Sequence, residues 1–81
     1  MPDALLKGLT LRGLEVFETL ARTGSVAETA ERLGMSAPAV SQQLKNLSQA
    51  LGTDLVDHSR RPMVLTHSGR LFLSRAEAAL S

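Results

Sequence analysis

Eighty-one residues with no cysteine make one small domain with a marginal core, without a disulfide scaffold or a cysteine metal site, which fits a reducing cytosol. Nine Lys or Arg against eight Asp or Glu leave a net charge of +1, weaker than the strong basicity of many nucleic-acid binders; an aromatic content of 2% requires an aliphatic core. No apolar run approaches membrane length, and residues 1–8 are too short and too acidic for a signal peptide, so a cytoplasmic protein with no membrane partner is expected.

In chain order, residues 1–9 are a lead-in with no assignable element. Thr10 is placed to cap a first helix, with Leu14, Phe17 and Ala21 on one face and Leu11, Val16 and Leu20 widening it; Thr23-Gly24 ends it. The next stretch, GSVAETAERLGMSAPAVSQQLKNLSQAL from Gly24 to Leu51, reads as two helices joined by a tight turn. Ser25 caps the second helix, and Glu28 three residues on predicts a reciprocal capping box. Val26, Ala27, Ala30 and Leu33 recur at helical spacing, and Gly34 stands where a left-handed cap is needed. Ser36 caps the third helix, about Ala37 to Leu51, with Pro38 in its first turn. Val40, Leu44, Leu47 and Leu51 form its buried stripe, whereas Ser41, Gln42, Lys45 and Gln49 fall off it.

Gly52 ends that helix. Two short apolar runs follow, Asp54–His58 and Met63–Thr66, with Ser59-Arg60-Arg61-Pro62 between them, a hairpin with a basic tip. A last helix starts near His67 and carries Leu71, Phe72, Leu73, Ala76, Ala79 and Leu80. A helix pair followed by a basic hairpin is a winged helix-turn-helix. The expected fold is therefore mainly α with a small β-hairpin wing. It has a three-helix core over residues 10–66, the helix-turn-helix at about 26–45, and the start of a linker helix at 67–81.

A second helix with short donors at its start and a buried back suits a DNA major groove. Gln42 is the best candidate base reader, because an amide can bond bidentately to adenine N6 and N7. Ser36, Ser41 and Lys45 are candidates for phosphates, which set register without carrying sequence information. The Pro38 ring at the helix tip either starts the helix only or also touches a thymine methyl. Arg60 and Arg61 at the hairpin tip point along a duplex. Between His58 and Arg75 there are four arginines and no acidic residue, while Asp3, Glu15, Glu18, Glu28 and Glu31 lie in the first half. His58 and His67 lack the neighbouring cysteines or the His-x-x-x-His spacing of a metal site, and no cofactor is expected. No nucleophile–base arrangement, glycine-rich phosphate loop or paired carboxylate points to an enzyme. The competing reading is a winged-helix module used for protein contacts without DNA binding; Pro38, Ser41, Lys45 and Arg61 argue against it.

Leu14-x-x-Phe17, Gly24-Ser25-Val26, Ala30-x-x-Leu33, Ser36-x-Pro38-Ala39-Val40-Ser41, Gln43-Leu44-x-x-Leu47, Leu51-Gly52-x-x-Leu55, Arg61-Pro62 and Leu65-Thr66-x-x-Gly69 together resemble the amino-terminal domain of LysR-type transcriptional regulators. The resemblance runs from about Leu9 to Ala79, and its specificity lies in the joint order and spacing. It implies a bacterial, nucleoid-associated regulator of transcription that binds double-stranded DNA, with Arg61 entering or flanking the minor groove. It also implies a homodimer joined through the last helix, a higher oligomer in a longer protein, and a small-molecule effector bound in a domain outside this chain. Winged-helix domains of molybdate-responsive regulators are a related alternative that differs in its sensing domain. Ala37 stands where the family commonly has glutamine, Gln42 where arginine is frequent, Ser48 where glutamate is usual, and Val56 and His58 where phenylalanine and arginine are common. These departures bear on the operator rather than the fold. Leu71 and Leu73 lie about 200° apart on a helix, so one apolar side is expected against the domain and the other, with Leu73 and Leu80, against a symmetry mate.

Overall fold

Capping residues place the helices of the computed structural model, which describes residues 10–60 and 62–80, the side chains of 79 and 80 excepted. Helix α1 spans Leu11–Thr23, α2 Val26–Leu33 and α3 Ala37–Leu51; strands β1 (Val56–Asp57) and β2 (Val64–Leu65) follow, then α4, His67–Leu80. The lead-in at residues 1–9 lies outside the described residues. Thr10, Ser25 and Ser36 each accept a backbone N–H of the first turn, from Gly13, Glu28 and Ala39, as their side-chain oxygens are suited to do. Gly34 ends α2 at φ 65°, and Met35 N donates back to Ala30 O at 2.9 Å, closing the tight turn between the helices.

Two local expectations change. The capping box at Ser25 is one-sided: Ser25 N donates to Thr23 Oγ1 at 3.1 Å, so the Glu28 carboxylate is left to pair with Arg32 at 3.2 Å. Thr23 also meets the fully buried Thr29 hydroxyl at 2.9 Å, which locks α1 to α2 through side chains the apolar pattern does not register. On α1 the buried stripe is Gly13, Val16, Phe17 and Leu20; Leu14 and Ala21 are half-buried, and Leu11 is 64% exposed. Positions 13, 16, 17 and 20 follow the i, i+3, i+4, i+7 rule, and Leu11 points about 200° away from Gly13, off that stripe.

The core joins Val16, Phe17 and Leu20 of α1, Ala30 of α2, Val40, Leu44 and Leu47 of α3, and Leu55 and Val56 from the start of the hairpin. It is aliphatic as composition requires, and the two phenylalanines meet within it: Phe17 and Phe72 lie 5.6 Å apart with tilted rings, which ties α4 to α1. Ala76 on α4 is buried as well.

β1 and β2 pair antiparallel, Val56 opposite Leu65 and Asp57 opposite Val64. The ladder is shorter than the apolar runs because side chains end it at both sides. At one end Thr66 Oγ1 donates to Asp54 O at 2.7 Å and accepts from Gly69 N at 3.0 Å, starting α4. At the other, Asp57 Oδ1 accepts from Ser59 N and Ser59 Oγ and turns the chain. The returning strand is held to the α1–α2 junction by Met63 N donating to Gly24 O at 3.0 Å. The wing is thereby fixed relative to the helix-turn-helix.

Candidate nucleic-acid interface

Successive residues of α3 turn by about 100°, which sorts the helix into faces. Val40, Leu44 and Leu47 are buried and Leu51 is half-buried, which fixes the back of the helix against the core. Pro38, Ser41, Gln42, Lys45 and Gln49 are exposed. Gln42 stands about 200° from Val40, on the side opposite the core. Ser36, also exposed, caps with its oxygen, so its hydroxyl hydrogen remains available to donate. Ser36, Pro38, Ser41, Gln42 and Lys45 thus lie along one solvent-facing side of a single helix. Gln42 has a neighbour on that side: its Nε2 donates to Asn46 Oδ1 at 2.8 Å.

An open groove of about 800 Å³ separates α3 from the wing. Ser41, Lys45, Ser48 and Gln49 line it from the helix, and Val56, His58 and Met63 from the hairpin, with Asp54 the one carboxylate in its described lining. Lys45 and His58 therefore face the same space from two elements. In the sequence His58 is a histidine without metal-site spacing and a departure from the resembled family, and neither reading places it beside Lys45. The signal that could have found it is its place where the resembled family commonly carries arginine, a position for a basic side chain. Among the described residues no group of three or more His, Cys, Asp or Glu could hold a metal ion.

The charges are partitioned. Arg12, Arg22 and Arg32 each pair with a carboxylate of their own helix, Glu15 at 3.7 Å, Glu18 at 3.0 Å and Glu28 at 3.2 Å. Arg12 also donates to Leu33 O at 3.2 Å, bracing the end of α2. Lys45 has no ion-pair partner among the described residues. The arginines of the first two helices are thus neutralised within their own helices, whereas Lys45 on α3 is not. On the wing, Arg60 is exposed and its Nε lies 3.6 Å from Asp57 Oδ2. Hydrogen bonds from the Ser59 side chain and backbone, then the positive charges of Arg60 and His58, hold the Asp57 carboxyl below the usual aspartate range despite some desolvation. Arg61 lies outside the described residues.

On α4, Leu71 is 60% exposed, whereas Phe72 and Leu73 are half-buried and pack against the core. Of the two apolar sides expected there, the more open one carries Leu71, and Leu73 leans on the domain. Leu80 ends the helix, with its side chain outside the described residues.

The family model for bacterial regulatory helix-turn-helix proteins of the lysR family matches residues 11–70. The HTH-type transcriptional activator CmpR of Synechocystis is 40% identical over 72 residues, 89% of this chain and 24% of CmpR. The HTH-type transcriptional regulator CfxR of Cupriavidus necator is 38% identical over 78 residues, 96% of this chain and 25% of CfxR. The chain thus spans about a quarter of the length of these curated relatives. Among solved structures, Vibrio fischeri DarR in complex with DNA superposes with a TM-score of 0.87 at 32% identity, over 89% of this chain and 25% of that one. The CbnR_DBD–DNA complex superposes at 0.85 with 35% identity, over 89% and 83%. Helix-turn-helix, wing and family match coincide over the same residues, and the chain belongs to the lysR family of bacterial regulatory helix-turn-helix proteins.

Proposed function

We propose that this chain is the sequence-specific DNA-binding module of a bacterial transcription regulator, with α3 in the major groove and the wing beside the adjacent minor groove. The observation that carries the reading is the exposed side of α3. Gln42 stands there with Lys45, which lacks an ion-pair partner among the described residues, and the core anchors the opposite side. Similarity to domains solved on DNA supports it. In this reading Gln42 reads a base, Pro38 packs on a thymine methyl, and Ser36, Ser41 and Lys45 bind phosphates. Arg60 supplies charge at the wing. Arg61 follows the groove, where narrow A/T-rich segments attract arginine.

The assembly is a homodimer through α4, with the exposed Leu71 at the two-fold interface in place of Leu73, which packs on the core, and with higher oligomers in the longer protein. Each dimer thus presents two recognition helices to two half-sites. The small-molecule effector binds a domain outside this chain, and the regulator works in the cytoplasm at the nucleoid. No helix among the described residues is long and apolar enough to cross a membrane.

The test is a salt-titrated gel shift on random duplex. Non-specific binding of roughly 10⁻⁴ to 10⁻⁶ M is expected, and neutralising about 4–6 phosphates gives a log–log salt slope of about −4 to −5. A module used only for protein contacts shows no salt-dependent retardation, and that result would refute DNA binding.

A further inference from the structure

We infer that Asn46 is a positioning residue for base reading. It holds the Gln42 carboxamide so that the chain selects adenine at one position of each half-site. The inference rests on α3 being the recognition helix. Gln42 Nε2 donates to Asn46 Oδ1 at 2.8 Å, one helical turn on. Gln42 is exposed and Asn46 half-buried, so the anchor is the more restrained of the two.

A glutamine amide offers two N–H donors and one carbonyl acceptor. With one N–H given to Asn46, one N–H and the carbonyl oxygen remain. Adenine presents the N7 acceptor beside the N6 amino donor, which matches that remaining pair one for one. Guanine presents two acceptors, N7 and O6, and would set O6 against the Gln42 carbonyl oxygen. Thymine and cytosine offer a single partner each.

The direction of this one hydrogen bond therefore sharpens the choice of base. Were Asn46 to donate through Nδ2 to Gln42 Oε1, the Gln42 amide would keep both N–H donors and its second carbonyl lone pair, and would discriminate less between adenine and guanine. Restraint matters as well. A free glutamine side chain must lose rotamer freedom to place its amide, and the Asn46 contact removes part of that loss before DNA arrives. The adjacent amide does not compete: Gln43 is turned toward α1, its Oε1 lying 3.4 Å from where a Gly13 side chain would begin.

The experiment selects bound sequences from a randomised duplex pool with the unmodified chain and with Gln42→Ala, Asn46→Ala, Asn46→Asp and the Gln42→Ala/Asn46→Ala pair. Affinities are then measured on the selected duplex and on copies carrying guanine or 7-deazaadenine at the selected adenine. The unmodified chain should prefer adenine by about tenfold, the factor that 1.4 kcal/mol represents, and lose most of that preference with 7-deazaadenine. Asn46→Ala should reduce the preference several-fold at that position alone. In the Gln42→Ala background it should change nothing further. Asn46→Asp keeps the acceptor, so it should retain the preference while weakening all sequences alike through its added negative charge.

Adenine preference unaltered by Asn46→Ala, or equal losses from it on every base, would overturn the inference. So would guanine at the Gln42-dependent position. A pool that yields no enriched sequence would overturn the DNA-reading function itself and this inference with it. Enrichment that persists without any dependence on Asn46 sinks only the latter.

Discussion

Gly69→Ala sets helix propensity against packing, and the two disagree in sign. Gly69 lies in the first turn of α4, and helix propensity alone would have alanine stabilise that helix by about 1 kcal/mol. The glycine is buried, however, and a Cβ there would sit on the Leu55 carbonyl oxygen, 3.0 Å from the carbonyl carbon and 3.3 Å from Leu65 Cβ. That carbonyl cannot rotate aside. It accepts from Thr66 N at 3.0 Å, and the Leu55 side chain is 2% exposed within the core. Helix α4 must therefore retreat from the base of the wing, loosening Phe72, Leu73 and Ala76 with it.

Overpacking costs about 1–3 kcal/mol, and an obstacle made of backbone puts this case near 3. Subtracting the propensity gain of about 1 leaves a net loss of about 2 kcal/mol. Urea unfolding followed by far-ultraviolet circular dichroism reads it directly. With a denaturant slope of about 1 kcal/mol/M for so small a chain, the midpoint should fall by about 2 M. A midpoint equal to or above that of the unmodified protein would refute the packing argument and leave propensity in charge.

Lys45→Ala should weaken binding to all duplexes alike and reduce the salt slope by about one, measured in the same gel-shift titration; loss confined to one sequence would make Lys45 a base reader. The Asp57 carboxyl should titrate below the ordinary aspartate range in a nuclear magnetic resonance pH series. A depressed folded-state pKa means that its contribution to stability is present above the unfolded-state pKa and is lost as pH falls through the folded one. The Asp57–Ser59 turn should therefore hold through mildly acidic pH and loosen only in stronger acid; a midpoint at or above the ordinary value would exclude it as a determinant of the wing. Leu71→Glu should shift a concentrated sample toward monomer in sedimentation while the circular dichroism melt stays unchanged, because Leu71 is 60% exposed. Leu73→Glu should lower the melt too, since Leu73 packs on the core; an unchanged oligomer distribution with Leu71→Glu would remove α4 from the interface.

The helix boundaries and the back of α3 are legible in the amino-acid sequence because their causes are local. A cap at Thr10, Ser25 or Ser36 is a hydrogen bond to an N–H three residues away, and Val40, Leu44 and Leu47 share a face through helical geometry alone. The candidate site was legible to the same extent: Ser36, Pro38, Ser41, Gln42 and Lys45 are neighbours on one helix. Tertiary structure decided whatever depends on which distant segment arrives. Thr29 and Thr23 took hydrogen-bonding roles at the junction of α1 and α2, leaving Glu28 to Arg32. Leu11 stayed in solvent although Leu20 did not. Leu73 rather than Leu71 turned toward the core, and His58 came to face the same groove as Lys45 because Met63 ties the returning strand to Gly24. Gly69 is the sharpest case. Its neighbours along the chain call only for a good helix former, and the carbonyl of Leu55, fourteen residues earlier, leaves room for nothing larger than hydrogen. A pattern of spacing specifies which faces of an element are apolar, but which of those faces is covered, and how closely, is set by the path the chain takes on its return.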